Sequence, residues 1–179
     1  MKELSYISSL VQKAKKQDIL AMRTLYEAFA KEMMATSQRI TNHKADAEDI
    51  LQEAFVISFQ KLDQLKDGAK YGGWLKQIVI NQSLNFVKRK RNYSSLDQVQ
   101  EFAEAKEEES PFQGIDFSKI KEAMHQLPDG CREIFSLHLL EGYKHREIAE
   151  VLKISNSTSK SQYRYAIKLL REKLIPIYE

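Results

Sequence analysis

The sequence predicts an all-α protein. Two small helical domains, residues 1–92 and 115–179, are joined by an acidic linker at 93–114, and the second domain carries a helix-turn-helix. Three observations lead there. Apolar residues recur at three- and four-residue steps in one segment after another, the spacing of a buried helical stripe. Only three Pro and six Gly occur in 179 residues. Between Asp97 and Glu109 the periodicity gives way to six acidic residues and one Lys, followed by Ser110-Pro111, the composition of an extended or partly helical tether.

Taken in order, Leu4, Ile7, Leu10, Val11 and Ala14 make the first helical stripe. Asp18 is placed to N-cap a second helix, where Leu25, Phe29 and Met33 repeat every fourth residue. Asp46, with Asp49 three positions on, forms a near capping box for the third. In that helix Leu51, Phe55, Ser58, Leu62 and Leu65 step by four and three toward a core. Lys66 to Gly73 (KDGAKYGG) reads as a loop with three glycines and one aromatic. Trp74 opens a helix running to about Arg91. After the linker, Ile120, Ala123, Met124 and Leu127 precede the turn Pro128-Asp129-Gly130. A helix with Ile134, Phe135, Leu137 and Leu139 then ends at Gly142, a C′ residue.

The last stretch, GYKHREIAEVLKISNSTSKSQYRYAIKLLREKL, holds a short amphipathic segment (Ile148, Ala149, Leu152), a polar break at Lys153 to Asn156, and a longer segment. Tyr163, Ala166, Ile167, Leu170 and Leu174 make its buried stripe. Two helices joined by so short a turn, with small Ala149 at the crossing, read as a helix-turn-helix. Thr158, Ser159, Lys160, Ser161 and Arg164 then fall in the first two turns of the second helix, where such helices present side chains to base edges. Between Tyr143 and Lys173, eight Lys or Arg stand against three Glu, an electrostatic footprint suited to DNA. Helical hairpins with polar second helices also occur in proteins that never touch nucleic acid.

Two further faces carry chemistry. On the third helix Asp49, Gln52, Glu53, Val56 and Phe59 share one side. Apolar residues set among carboxylates there suit a protein-docking surface, or a helix that buries two faces. On the fourth, Trp74, Gln77, Asn81, Asn85 and Lys88 line a stripe ending in Lys88-Arg89-Lys90-Arg91, beside the loop bearing Tyr71. Aromatics, amides and basic residues together suit a single-stranded nucleic acid; basic residues at a helix C-terminus also complement its dipole.

Enzyme classes find little support. No glycine falls in a phosphate-loop spacing, and His43, His125, His138 and His145 lack nearby Cys or paired His at metal spacing. Asp46, Glu48, Asp49 and Glu53 suit capping and docking better than acid–base work. No cofactor, metal or catalytic residue is expected. Cys131 is the single Cys, so an intramolecular disulfide is excluded and a reducing cytoplasm fits. The amino terminus lacks a signal-peptide apolar region, and no run approaches membrane-spanning length.

With these residues in view, the chain resembles an extracytoplasmic-function sigma factor, a promoter-recognition subunit of bacterial RNA polymerase. DAEDILQEAFVISFQKL resembles the helix that binds the clamp of the polymerase's largest subunit. YGGWLKQIVINQSLNFVKRKR resembles the element that opens the minus-ten region. LPDGCREIFSLHLLEGYKHREIAEVLKIS with TSKSQYRYAIKLLREKL resembles the domain that reads the minus-thirty-five element. The resemblance implies core-polymerase contacts from Asp49, Gln52, Glu53 and Phe59, with Val56 a further candidate on the same face. It implies a place near the melted strand for Asn81 and Asn85, with Tyr71, Trp74, Gln77, Lys88, Arg89 and Arg91 as the further candidates there. It implies contacts to duplex DNA from Lys160, Ser161, Arg164 and Tyr165, with Thr158, Ser159 and Lys168 as further candidates. It also implies an anti-sigma partner, no membrane insertion, and a linker whose carboxylates thread toward the polymerase's RNA path. Departures from the family pattern include Ser157 for a common Gly, Ser159 for Val, Gln162 for Arg, and Lys144 at a capping position. An ordinary helix-turn-helix regulator and a purely protein-binding adaptor are the competing readings.

Overall fold

The computed structural model describes residues 2–93, 112 and 114–174, and among these there is no β-strand. The acidic stretch therefore lies almost wholly outside the described residues. The chain divides into two compact units, residues 1–89 and 90–179.

In the first unit α1 spans Lys2–Lys15, α2 Ile19–Thr41, α3 Lys44–Gln60 and α4 Tyr71–Tyr93, with short 3-10 turns at Leu62–Gln64 and Gly68–Lys70. Leu10, Val11 and Ala14 bury the stripe of α1 as expected, but Leu4 stays 56% exposed, so the stripe begins at Ile7. Asp18 caps α2 as its sequence position suggests, its side chain accepting from the Ala21 N–H at 3.0 Å. Asn42 ends that helix in the left-handed region (φ 57°), a conformation asparagine tolerates.

The start of α3 differs from expectation. The helix begins at Lys44, so Asp46 lies inside its first turn near His43 (3.4 Å) and the Asp46–Asp49 capping box is not formed. Leu51, Phe55, Ser58, Leu62 and Leu65 are all buried, as their spacing requires.

The stretch read as a Gly-aromatic loop is also different. Asp67 caps a 3-10 turn by accepting from the Ala69 N–H (3.0 Å), and α4 starts at Tyr71 with Gly72 and Gly73 inside it. Tyr71 is fully buried: its hydroxyl lies 3.0 Å from Ser58 Oγ and its ring meets the Phe29 edge at 5.5 Å. Farther along, the Ser83 hydroxyl sits 3.0 Å from Ser37 Oγ and 2.8 Å from the Val79 carbonyl, tying α4 to α2 through a satisfied buried polar pair.

In the second unit α5 spans Phe117–Met124, α6 Asp129–Phe135, α7 His145–Leu152 and α8 Asn156–Leu174. Asp116 caps α5, accepting from the Ser118 N–H at 3.0 Å and its hydroxyl at 2.8 Å. The helix expected through Leu139 is divided: α6 passes into a π-helical segment, Ser136–Leu140. Gly142 then takes a left-handed conformation (φ 74°), which lets the Tyr143 N–H reach back to the Leu137 carbonyl at 2.9 Å. Ile120, Met124, Leu127, Cys131, Phe135, Ala166, Leu170 and Leu174 form the core, so Cys131 is a packing residue.

Candidate nucleic-acid and protein-docking interfaces

The helical repeat of α3 sends Ala47, Ile50, Leu51, Ala54 and Phe55 inward and leaves Asp49, Gln52, Glu53 and Val56 outward. Val56 is 53% exposed, one helical turn beyond Glu53 and two beyond Asp49. Within this unit the face is not a second buried stripe. Phe59 differs from the other four. It is half-buried, lies 5.9 Å from the Phe55 ring and packs on the core, so only its outer edge is offered.

On α4, Gln77, Asn81 and Asn85 are exposed along one stripe, with the Gln77 Nε2 donating to Asn81 Oδ1 at 3.4 Å. Trp74 is half-buried, 6.2 Å from the Tyr71 ring and packed on the core. Lys88 is half-buried and Arg89 exposed; Arg91 lies in α4, but its side chain is outside the described residues. Tyr71 is the correction. With its ring enclosed it offers no face for a base to stack on, and its role is structural. Burial pushes its hydroxyl up to about 12, opposed by the Ser58 hydrogen bond, so it stays neutral at ordinary pH.

The helix-turn-helix is built by local chemistry. At the start of α7 the Lys144 N–H donates to Glu147 Oε2 at 2.7 Å. A lysine ammonium has no lone pair to return to the helix amides, so only half of a capping box is made. Lys153 ends α7 in the left-handed region (φ 56°), and the Ile154 N–H closes on the Ala149 carbonyl at 3.0 Å. Ser155 then caps α8, its Oγ accepting from the Thr158 N–H at 2.9 Å and lying 2.7 Å from the Thr158 hydroxyl. The sequence signal for Ser155 is a serine immediately before a helical run, an N-cap residue type.

From that start Thr158, Lys160, Arg164 and Tyr165 are partly exposed and Lys168 is exposed, with its ammonium 3.9 Å from Glu172. Two expected contact residues are not available. Ser159 is fully buried, its hydroxyl 2.9 Å from His145 Nδ1. Ser161 is buried too, with its hydroxyl turned back to the Thr158 carbonyl at 3.0 Å. Tyr163, half-buried, has its hydroxyl pushed up by burial. It meets the His138 and His145 rings edge-on at 4.6 and 5.4 Å.

Known families divide the chain in the same order as these faces. Sigma-70 region 2 matches residues 25–93, and Sigma-70, region 4 matches residues 117–170. Together they cover more than half of the chain. This chain belongs to the sigma-70 family of sigma factors. Within that family it falls in the extracytoplasmic-function group. It is 24% identical over 180 residues to the ECF RNA polymerase sigma factor SigW of Bacillus subtilis, covering 94% of this chain and 96% of that one. A probable RNA polymerase sigma factor, RfaY of Xanthomonas campestris, is 28% identical over 152 residues, 81% of this chain but 38% of that protein's length. In fold the sigma factor is similar to CnrH, solved in complex with the cytosolic domain of CnrY, at a TM-score of 0.52 and 18% identity, covering 93% of this chain and 96% of that one. Sigma factors direct promoter-specific transcription. Among the described residues no helix of this sigma factor is long and apolar enough to cross a membrane.

Proposed function

We infer that this sigma factor docks on core RNA polymerase through α3, helps open the downstream promoter element with α4, and reads the upstream element with α8. The observation that carries the reading is the start of α8. A serine-capped helix N-terminus presents Thr158, Lys160 and Arg164 one and two turns in, where a major-groove helix meets base edges. Arg164 and Lys160 supply donors for guanine edges or phosphates, and Lys168 supplies a phosphate contact farther along. On α4 the donors and acceptors of Gln77, Asn81 and Asn85 suit the Watson–Crick edge of an unstacked base, with Arg89 beside them for phosphate. On α3 the acidic rim of Asp49 and Glu53 around Val56 suits a polymerase surface of basic and apolar residues, the clamp of the largest subunit. The acidic stretch is the tether, its carboxylates drawn to the positive field of the RNA path. An anti-sigma partner would act by covering these faces. The protein itself catalyses no step and needs no cofactor.

The test separates the two DNA-facing helices. With core polymerase and a responsive promoter, Arg164→Ala should reduce protection of the upstream box, at a cost on the order of 1–3 kcal/mol for a lost bidentate base contact. Asn81→Ala should leave that protection intact and lower permanganate reactivity of thymines in the melted element. Loss of upstream protection in the Asn81 variant, with normal opening, would reverse the assignment.

A further inference from the structure

The recognition helix is held by a side-chain relay that starts outside the helix-turn-helix. On the π-helical segment, His138 Nδ1 lies 2.7 Å from the Tyr143 carbonyl. A carbonyl only accepts, so that nitrogen carries the proton and the ring is fixed in orientation. The His145 ring, at the first position of α7, stacks on His138 at 4.1 Å with 22° between planes. His145 Nδ1 in turn meets the Ser159 hydroxyl at 2.9 Å, in the first turns of α8. The Tyr163 edge closes the cluster, and the Phe135 ring stacks behind it at 5.8 Å. Ser159 lies between Thr158 and Lys160, two residues of the proposed reading surface, yet it is itself fully buried.

We propose that His145 is a positioning residue for promoter recognition: through Ser159 it sets the placement of Thr158 and Lys160 against the bases. This rests on the assignment of α8 as the duplex-reading helix. The Ser155 cap fixes the backbone where α8 begins, but a cap does not fix rotation of the following turn about the helix axis. A side-chain bond from α7 to Ser159 does. Base readout depends on side chains held within about 0.5 Å of productive geometry. The hydrogen bond, not the bulk of the imidazole, is therefore the functional element, and His138 keeps His145 in the rotamer that makes it.

Two substitutions separate these roles. His145→Phe keeps a ring to stack on His138 but has no nitrogen for Ser159. His145→Asn loses the ring but places an amide nitrogen or oxygen near the position of Nδ1. The full chain, with purified core polymerase, first selects upstream duplexes from a library randomised over that element. Affinity for the selected duplex and for an unselected one is then measured for each variant. His145→Phe should lose roughly two- to tenfold in affinity for the selected duplex, the size of one net hydrogen bond. Binding to the unselected duplex should not change, and His145→Asn should recover most of the loss. Ser159→Ala should match His145→Phe, and the double variant should be no worse than either, which keeps the test valid if the Phe variant folds poorly. If Ser159→Ala binds the selected duplex as the wild type does, or Phe serves better than Asn, the cluster is packing alone and the proposal is wrong. If the wild-type protein selects no upstream sequence, the assignment of α8 itself fails, a distinct outcome.

Discussion

Two glycines near the start of α4 should respond differently to the same substitution. A Cβ built on Gly68 would lie 2.9 Å from Ser8 Oγ, 3.0 Å from Ser8 Cα and 3.3 Å from the Ser8 carbonyl oxygen. Two of those atoms are backbone of α1, so the helix itself must shift to admit a methyl group. Overpacking of this kind costs typically about 1–3 kcal/mol. Gly73 has open space around its Cβ position. It lies in the first turns of a helix, where alanine is favoured over glycine by up to about 1 kcal/mol. Gly68→Ala should therefore lower the urea midpoint of the first unit, and Gly73→Ala should leave it unchanged or raise it slightly. Trp74 is the only tryptophan in the chain and packs on the core of that unit, so its fluorescence reports that unit's unfolding within the full-length protein. Equal midpoints for Gly68→Ala and wild type would refute the close approach of α1 to the 3-10 turn. A destabilised Gly73→Ala would refute its place in an open helical turn.

Tyr71→Phe should cost about 1 kcal/mol of first-unit stability, one buried hydrogen bond, while the Ser58 hydroxyl keeps its 2.8 Å bond to the Phe55 carbonyl. The same change should remove an alkaline effect: burial holds the folded-state hydroxyl at about 12, so wild-type stability falls as pH rises from about 10, where the unfolded tyrosine ionises, toward 12. Urea midpoints across that range check both. The Asp116 carboxyl is held below its ordinary value, first by the Ser118 N–H and then by its hydroxyl. Its contribution to α5 should be complete above the ordinary aspartate range and lost as pH falls through the depressed value, and Asp116→Asn should flatten that acid limb in thermal melts followed by circular dichroism. Gln52→Ala with Glu53→Ala should leave melting nearly unchanged, within about 0.5 kcal/mol per exposed site. Affinity for core polymerase should drop clearly in a direct binding titration; unchanged affinity would remove α3 from the docking surface.

What could be read from the sequence was whatever depends on near neighbours. The proposed α3 docking positions recur at three- and four-residue steps, so Asp49, Gln52, Glu53 and Val56 share one side in any helix covering them. Asp18 needs only the amide of Ala21 to act as a cap. Tyr71 reads as a loop residue because two glycines follow it and local propensity favours a loop there. Its burial depends on Phe29 and Ser58, which arrive from α2 and α3. Gly72 is likewise explained by a ring far away in sequence, since a Cβ there would sit 2.7 Å from Phe29 Cε1. Ser159 and Ser161 are small polar residues at a helix start, where exposure is the natural expectation. The hydroxyl of Ser159 is instead taken up by His145, fourteen residues earlier. That partner is invisible to periodicity, because it depends on how α7 crosses α8. Asp46 failed as a cap for a simpler reason: α3 starts at Lys44, and helix ends are weakly determined by sequence.

The central claim is that this chain gives core polymerase a promoter preference through α8. Run-off transcription tests it most directly, with purified core polymerase, a promoter library randomised at both elements, and either wild-type protein or Arg164→Ala. Transcripts should require the added protein, arise from a shared pair of sequence elements, and in the variant lose preference mainly at the upstream one. Transcripts independent of the protein, or an upstream preference untouched by Arg164→Ala, would contradict it.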